Sequence, residues 1–250
     1  MDKREADTLK GIRRLRLETH ALEEMKAFYA RTLQLEITDS EPNQFTVHAG
    51  GTLLTFVGAE SGRPVYHFAF NIPENMFAEA KAWLRTRVAI LRNTDGSEDF
   101  EFRSWNAHAC YFLDPAGNIV EFIARHNLQN ARAGDFGPQD ILYASEIGIV
   151  VDDVRAAAEA VRDELGMRPF VTGMPDPGAD FCAAGDDHAL LIIVKKGRAW
   201  NVGGTIPAEV FSTQVVIAGD RDGDLKLAGF PYDIRIVNRD GHDTSRYRMA

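Results

Sequence analysis

The stretch Tyr111-Phe112-Leu113-Asp114-Pro115-Ala116-Gly117-Asn118-Ile119-Val120-Glu121-Phe122 reads as two strands joined by a tight turn. Asp114-Pro115-Ala116-Gly117 supplies the turn, with proline to preset φ and glycine to leave the turn freely. The flanking strands are expected over Ala107–Leu113 and Asn118–Ala124. Period two then places Ile119, Glu121 and Ile123 on one strand face. A carboxylate set between two isoleucines on a covered face is costly unless a cation or donors meet it. Glu121 is therefore read as more than a packing residue.

Upstream, the same order of elements occurs twice. Alternation from Arg14 to Glu18, after Ile12, predicts a strand, and Ala21–Leu35 predicts a helix carrying Leu22, Met25, Phe28, Tyr29 and Leu33 on one face. Three short strands follow at Glu36–Thr38, Gln44–His48 and Thr52–Val57. Asn43 and Gly50–Gly51 separate them as turns. The second unit starts with a strand at Val65–Ile72. Pro73 then opens a helix bearing Phe77, Ala80 and Leu84. Strands are expected at Ala89–Leu91 and Asp99–Arg103, before the pair around Asp114.

Downstream, residues 126–140 are rich in Asn, Gln, Ala and Gly and read as a linker. A third unit then repeats the pattern. Tyr143–Val151 is a strand, Asp152 and Asp153 offer an N-cap, Val154–Leu165 is a helix, and Gly166 stops it. Strands at Phe170–Thr172, Ala179–Ala183 and Ala189–Lys195 complete it. The fourth unit has strands at Phe211–Ala218 and Tyr232–Val237 with no clear helix between them. Leu15 and Phe45 in the first unit hold the places of Ile147 and Phe181 in the third, an internal duplication of pattern. One such unit cannot bury its sheet alone, whereas two can curve around a shared cavity with helices outside.

The fold class is thus α+β, built of tandem βαβββ modules. The domains are expected at 11–125 and 141–240, with a polar tail at 241–250. At 250 residues and 45% apolar content, either domain can bury a core. The net charge of −9 repels phosphate backbones, so nucleic acid is not an expected partner. Cys110 and Cys182 form no paired-spacing motif and read as buried free thiols of a reducing, cytoplasmic protein. The N-terminus lacks the apolar run of a secretory leader, and no apolar run is long enough for a bilayer, so no membrane partner is expected.

Three local features together resemble the vicinal-oxygen-chelate superfamily, which holds glyoxalases, bleomycin-resistance proteins and extradiol dioxygenases. One is Ile12–Leu35, a strand and helix carrying Phe28–Tyr29 and closing on Leu33-Gln34-Leu35, where the family usually has Leu-Gly-Leu. Another is Tyr66-His67-Phe68-Ala69-Phe70, similar to the family's His-X-Ala-Phe strand. The third and most specific is Asp114 to Glu121, similar to its Asp-Pro-X-Gly-Asn-X-X-Glu ending.

The resemblance implies a cavity in the first domain, with metal ligands on the first strand of each unit and on a closing strand. The matching positions are Arg14, His67 and Glu121. His67 and Glu121 suit one divalent ion of iron, manganese, nickel or zinc, and Glu121 can double as a catalytic base. Arg14 has no lone pair and cannot ligate a cation. Glu18, Asn71 and His108 are candidate replacements, and Trp105 is a candidate cavity wall. Glu146 holds in the third unit the place of Arg14 in the first, yet the closing strand Tyr232–Val237 has no Glu, so no metal site is expected in the second domain.

Two functions follow from the resemblance. One is a metal-dependent lyase, isomerase or dioxygenase acting on a small organic molecule. The other is a metal-free binding protein of the resistance type, in which Arg14 and Arg16 hold an anion. Pairing of units across chains in a homo-oligomer is a further arrangement the family uses. The ring-cleaving and glyoxalase I activities both want ligand sets fuller than this sequence offers.

Overall fold

The computed structural model describes residues 9–200 and 205–238. The tail at 241–250, the last two residues of the expected second domain and most of the polar N-terminus lie outside the described residues. The order is β1 (Ile12–Thr19), α1 (Leu22–Ala27), β2 (Glu36–Glu41), β3 (Gln44–Ala49), β4 (Thr52–Gly58), β5 (His67–Ile72), α2 (Phe77–Arg85), β6 (Phe100–Phe102), β7 (Ala107–Leu113), β8 (Ile119–Arg125), β9 (Tyr143–Val151), α3 (Val154–Leu165), β10 (Phe181–Asp186), β11 (Ala189–Lys195), β12 (Thr213–Gly219), β13 (Gly223–Leu225) and β14 (Tyr232–Asn238). This is the expected α+β series of modules. In each unit the first strand lies beside the closing strand and parallel to it: β1 with β4, β5 with β8, β9 with β11, and β12 with β14.

The units combine across the expected domain line. One seven-stranded sheet runs β13-β14-β12-β1-β4-β3-β2 and joins the first unit to the fourth. The other runs β10-β11-β9-β5-β8-β7-β6 and joins the second unit to the third. Neither sheet is confined to residues 11–125 or to 141–240, so the shared hollow of the first two units is replaced by a hollow in each mixed sheet. The joints are antiparallel, β1 to β12 and β5 to β9. The two sheets meet where β4 begins. The Thr52 hydroxyl donates to the Ile12 carbonyl at 2.5 Å and accepts from the Ala144 amide at 2.8 Å. The Gly51 amide donates to the Leu142 carbonyl at 2.6 Å.

Binary patterning separates two apolar clusters. Leu15, Leu17, Phe56, Phe68, Phe70, Phe122 and Ile147 belong to the larger cluster, which also takes in Met25, Tyr29, Leu84 and Val161 of the helices. The alternate residues of the second sheet, among them Ala69, Tyr111, Ile119, Ile123, Leu190 and Ile192, form the smaller one. The expected face of Ile119, Glu121 and Ile123 is therefore the hollow face, opposite the helices. Cys110 and Cys182 are both buried free thiols, and burial pushes the Cys110 thiol up to about 12, so it is a packing group.

Several elements differ from the sequence reading. The helix expected to Leu35 is α until Ala27 and π from Phe28 to Thr32, and Gln34 then adopts φ of 57°. That left-handed conformation is the reason glycine is favoured there. Pro73 lies outside α2, which starts at Phe77. Ala89–Leu91 contributes only a bridge between Ile90 and Phe112, and Phe170–Thr172 is reduced to a bridge from Pro169 to Ala184 because Val171 turns to φ of 54°. The short strand β13 was not legible, since Asp and Gly dominate it. In the linker, Phe136 packs on Trp83 and Phe122, and Pro138–Asp140 forms a 3-10 turn.

The Asp114 turn ties the second unit to the first. One carboxylate oxygen accepts from the Ala116 and Asn118 amides, each at 3.0 Å. The other accepts from the Asn118 side chain at 2.8 Å and the Tyr29 hydroxyl at 3.1 Å. Replacing Asp114 by Ala strands four buried donors. The expected loss is about 3 kcal/mol of stability, read as a lower urea midpoint at unchanged slope.

Candidate metal centre

The site is a consequence of strand register. Ala69 on β5 is the direct neighbour of Glu121 on β8 and, on its other side, of Glu146 on β9. His67 precedes Ala69 by two residues and shares its face. Strand spacing of about 4.8 Å and a two-residue step of about 6.6 Å therefore set three side chains around one methyl group. His67 Nε2 lies 3.6 Å from Glu121 Oε2 and 3.7 Å from Glu146 Oε2. One donor atom from each of the three falls within 4.8 Å of the others. The β5–β9 register shifts just past Ala69, an irregularity that re-aims side chains beside the site.

Each donor is fixed from behind. His67 Nδ1 faces the Ile119 carbonyl at 3.1 Å; a carbonyl only accepts, so Nδ1 is the donor there and Nε2 is the nitrogen turned to the two glutamates. Glu146 Oε1 accepts from Arg125 Nη2, which leaves Oε2 turned to His67. Arg125 is fully buried, and its second amino group stands 3.7 Å from Asp187. Tyr111 lies directly across from Glu121 on β7. Two buried carboxyl groups thus face one guanidinium and the His67 ring. Burial, then the neighbouring Glu146, hold the Glu121 carboxyl well above the usual carboxylate range, while Arg125 and Tyr111 pull the other way. A dication placed among these donors would cancel the surplus negative charge and favour the ionised form.

The donors open into a cavity of about 400 Å³. Trp105, an expected wall residue, lines it, as do Tyr111 and Trp200. The closing strand of the third unit turns Leu190, Ile192 and Val194 to this side and adds no donor.

Of the residues singled out from sequence, His67 and Glu121 are brought together. Arg14, Arg16 and Glu18 stand on β1 in the other sheet. Arg16 donates to Gln44 at 2.8 Å and, with Glu18, Ser212 and Gln214, bounds a separate hollow of about 200 Å³. They cannot line the His67 cavity. Asn71 is outside the cavity lining and donates instead to the Tyr143 hydroxyl at 3.0 Å and the Asp187 carbonyl at 3.2 Å. His108 contacts His126 at 2.8 Å, away from the triad. The residue missed as a partner of His67 is Glu146. Its signal was present: it occupies the place of Arg14 in the third unit and, unlike Arg14, it can ligate.

No protein-family model and no curated protein matches the chain. Among solved structures, a protein from Bacillus subtilis subsp. subtilis str. 168 carrying a dioxygenase assignment aligns over 93% of this chain and 86% of its own, at 14% identity and a TM-score of 0.56. Glyoxalase I from Zea mays aligns over 93% of both chains at 14% identity and a TM-score of 0.52. A point variant of that enzyme gives 15% identity and 0.53 over the same shares. The chain has the fold of the vicinal-oxygen-chelate superfamily.

The two glutamates should respond oppositely to mutation in chelator-treated protein. Glu146→Ala leaves the buried Arg125 charge without its closest partner, and an expected loss of about 3 kcal/mol follows. Glu121→Gln removes a carboxyl whose folded value is raised. Such a group favours the fold in acid and loses that contribution as pH rises through the folded value. The variant is therefore expected to be more stable than wild type, with the gain growing as pH rises from the ordinary carboxylate range toward the raised folded value. Urea titrations between acid and alkaline pH check both signs.

Proposed function

We propose that the chain is a metal-dependent enzyme acting on a small molecule with two neighbouring oxygens. Its ion, one of divalent iron, manganese, nickel or zinc, would be held by His67, Glu121 and Glu146. The observation that carries this reading is the convergence of three buried donors from adjacent strands on one small residue, Ala69. One imidazole nitrogen and two carboxylate oxygens suit such ions, and three protein ligands leave positions for substrate. The class is a lyase, isomerase or dioxygenase of the glyoxalase type, in keeping with the fold.

The chain's own groups have distinct tasks. When bound, the ion would supply a Lewis acid that polarises substrate oxygens. Arg125 holds Glu146 by one oxygen and keeps the other for the site. Glu121 is the candidate base, because its carboxyl group lines the cavity beside the other two donors. The apolar wall of Ile119, Ile192 and Val194 excludes water around it. The rival anion-binding reading loses its premise for this cavity, since Arg14 and Arg16 belong to the other sheet. A cytoplasmic setting stays with this proposal; among the described residues no helix is long and apolar enough to cross a membrane.

The test is calorimetric titration of chelator-stripped protein with Mn²⁺. One ion per chain is expected. His67→Ala and Glu146→Gln should each weaken binding at least about tenfold. Ala69→Leu should do the same without removing a ligand, because it fills the space between the donors. Wild type that binds no divalent ion, or an Ala69→Leu protein that binds as well as wild type, would sink the proposal.

A further inference from the structure

The hollow of the first sheet has a charge pattern of its own, unrelated to the donors around Ala69. Arg14, Arg16 and Glu18 share the face of β1 opposite the buried Leu15 and Leu17, so positive charge lies toward one end of the strand and negative charge toward the other. Arg16 and Glu18 line the hollow, with Val57, Ser212 and Gln214 around them, and are its charged groups among the described residues. Buried Tyr66 fixes the rim. Its hydroxyl accepts from the Glu18 amide at 3.1 Å and donates to the Ser212 carbonyl at 2.9 Å, which holds β1 beside the approach to β12.

A guanidinium and a carboxylate two residues apart on one strand face can pair. Asp233 and Arg235 do so on β14 of the same sheet, where Arg235 Nε and Nη2 donate to the two Asp233 oxygens at 2.9 and 2.8 Å. Arg16 and Glu18 have the same spacing, about 6.6 Å along the strand, and do not pair. Arg16 Nη1 donates instead to the neutral Gln44 side chain at 2.8 Å, which leaves Nε and Nη2 for another acceptor. Among the described residues no donor or cation lies within bonding reach of the Glu18 carboxylate. The Ser212 hydroxyl and the Gln214 amide are uncommitted in the same sense. One hollow thus presents a guanidinium, a carboxylate and two small polar groups.

We infer that this hollow is a binding site for a small zwitterion, an α-amino acid with a short polar side chain. The ligand's carboxylate meets Arg16, whose planar fork suits it. Its ammonium meets Glu18, and its side chain faces Ser212 and Gln214. A lone anion is attracted by Arg16 but repelled by Glu18, and a lone cation the reverse. At about 200 Å³ the space is below the roughly 300 Å³ at which drug-sized sites begin, which limits the ligand to a few non-hydrogen atoms. The site is built on the first sheet and stands whether or not the other cavity holds an ion.

The experiment is a ligand-observed NMR titration of chelator-treated protein, so that no metal captures a probe in the other cavity. The probes are L-serine and two molecules that each lack one of its charges. Glycerate has a hydroxyl in place of the ammonium, and ethanolamine lacks the carboxylate. Serine is expected to bind at least tenfold more tightly than either, since only it makes both charge-assisted contacts. Glu18→Gln should bring serine down to the level of glycerate, and Arg16→Gln to the level of ethanolamine. Ala69→Leu, which fills space only in the other sheet, should leave serine affinity within twofold of wild type. The ranking of the three probes on wild type tests the inference without any variant, should one of these fold poorly. Serine that binds wild type no better than glycerate or ethanolamine overturns it. Serine binding that survives both charge variants, or that disappears in Ala69→Leu, overturns it as well.

Discussion

The antiparallel joint between β5 and β9 is the constraint on which the centre depends. It lays Glu146 beside Ala69, which the parallel β5–β8 pairing has already laid beside Glu121. Because the side-chain period is two, a one-residue slip at either joint would turn a glutamate toward the helices. Register here is specified by burial on both faces: every residue of β5 and of β8 is buried. Phe68, Phe70, Val120 and Phe122 commit one face to the larger apolar cluster, and so the alternate residues must face the hollow. The positions of the donors follow from packing on the opposite side of the sheet.

That arrangement sets a tension between stability and chemistry. Gathering two carboxylates and an imidazole out of water is unfavourable, and only Arg125 among the nearby groups brings a full opposing charge. Packing alone does not call for the cluster. An apolar residue at 121 would satisfy the surroundings of Ile119 and Ile123 at lower cost. The raised proton affinity of Glu121 is the local sign of this strain, and strain of this kind concentrates where a site binds or reacts.

Much of the fold was legible because its elements carry strong local signals. β7, β9, α3 and β11 fall at their expected limits, since alternation, the Asp153 cap and the Gly166 stop all agree there. Asp153 accepts from the Ala156 amide, and Gly166 takes φ of 68°. Short segments failed for lack of such agreement, as at Val171 and in β13. Pairing between units was not legible at all. Within each unit the first strand pairs with the closing strand on one edge only, and any of the other units offers a matching apolar strand for its second edge. The motifs around His67 and Glu121 were legible as local patterns, while Glu146, which stands with them, lies beyond residues 126–140.

Ligand chemistry supplies the discrimination that hydrophobic patterning lacks. Joining the first unit to the second would have set Arg14 against His67, a cation where a donor is needed. Joining the second to the third sets Glu146 there instead. Among the described residues the other sheet brings no such donor cluster together. Its equivalent joint pairs Arg14 with Val216 and Arg16 with Gln214, so no cluster of imidazole and carboxylates can form on it. The duplicated architecture thus offers two similar hollows, and the first carries Arg14 on its opening strand and no Glu on the closing strand Tyr232–Asn238, whereas the second carries His67, Glu121 and Glu146. Fold and chemistry are separable here: the sheets would form with arginine or glutamate on the opening strand, but only one joint assembles the three donors.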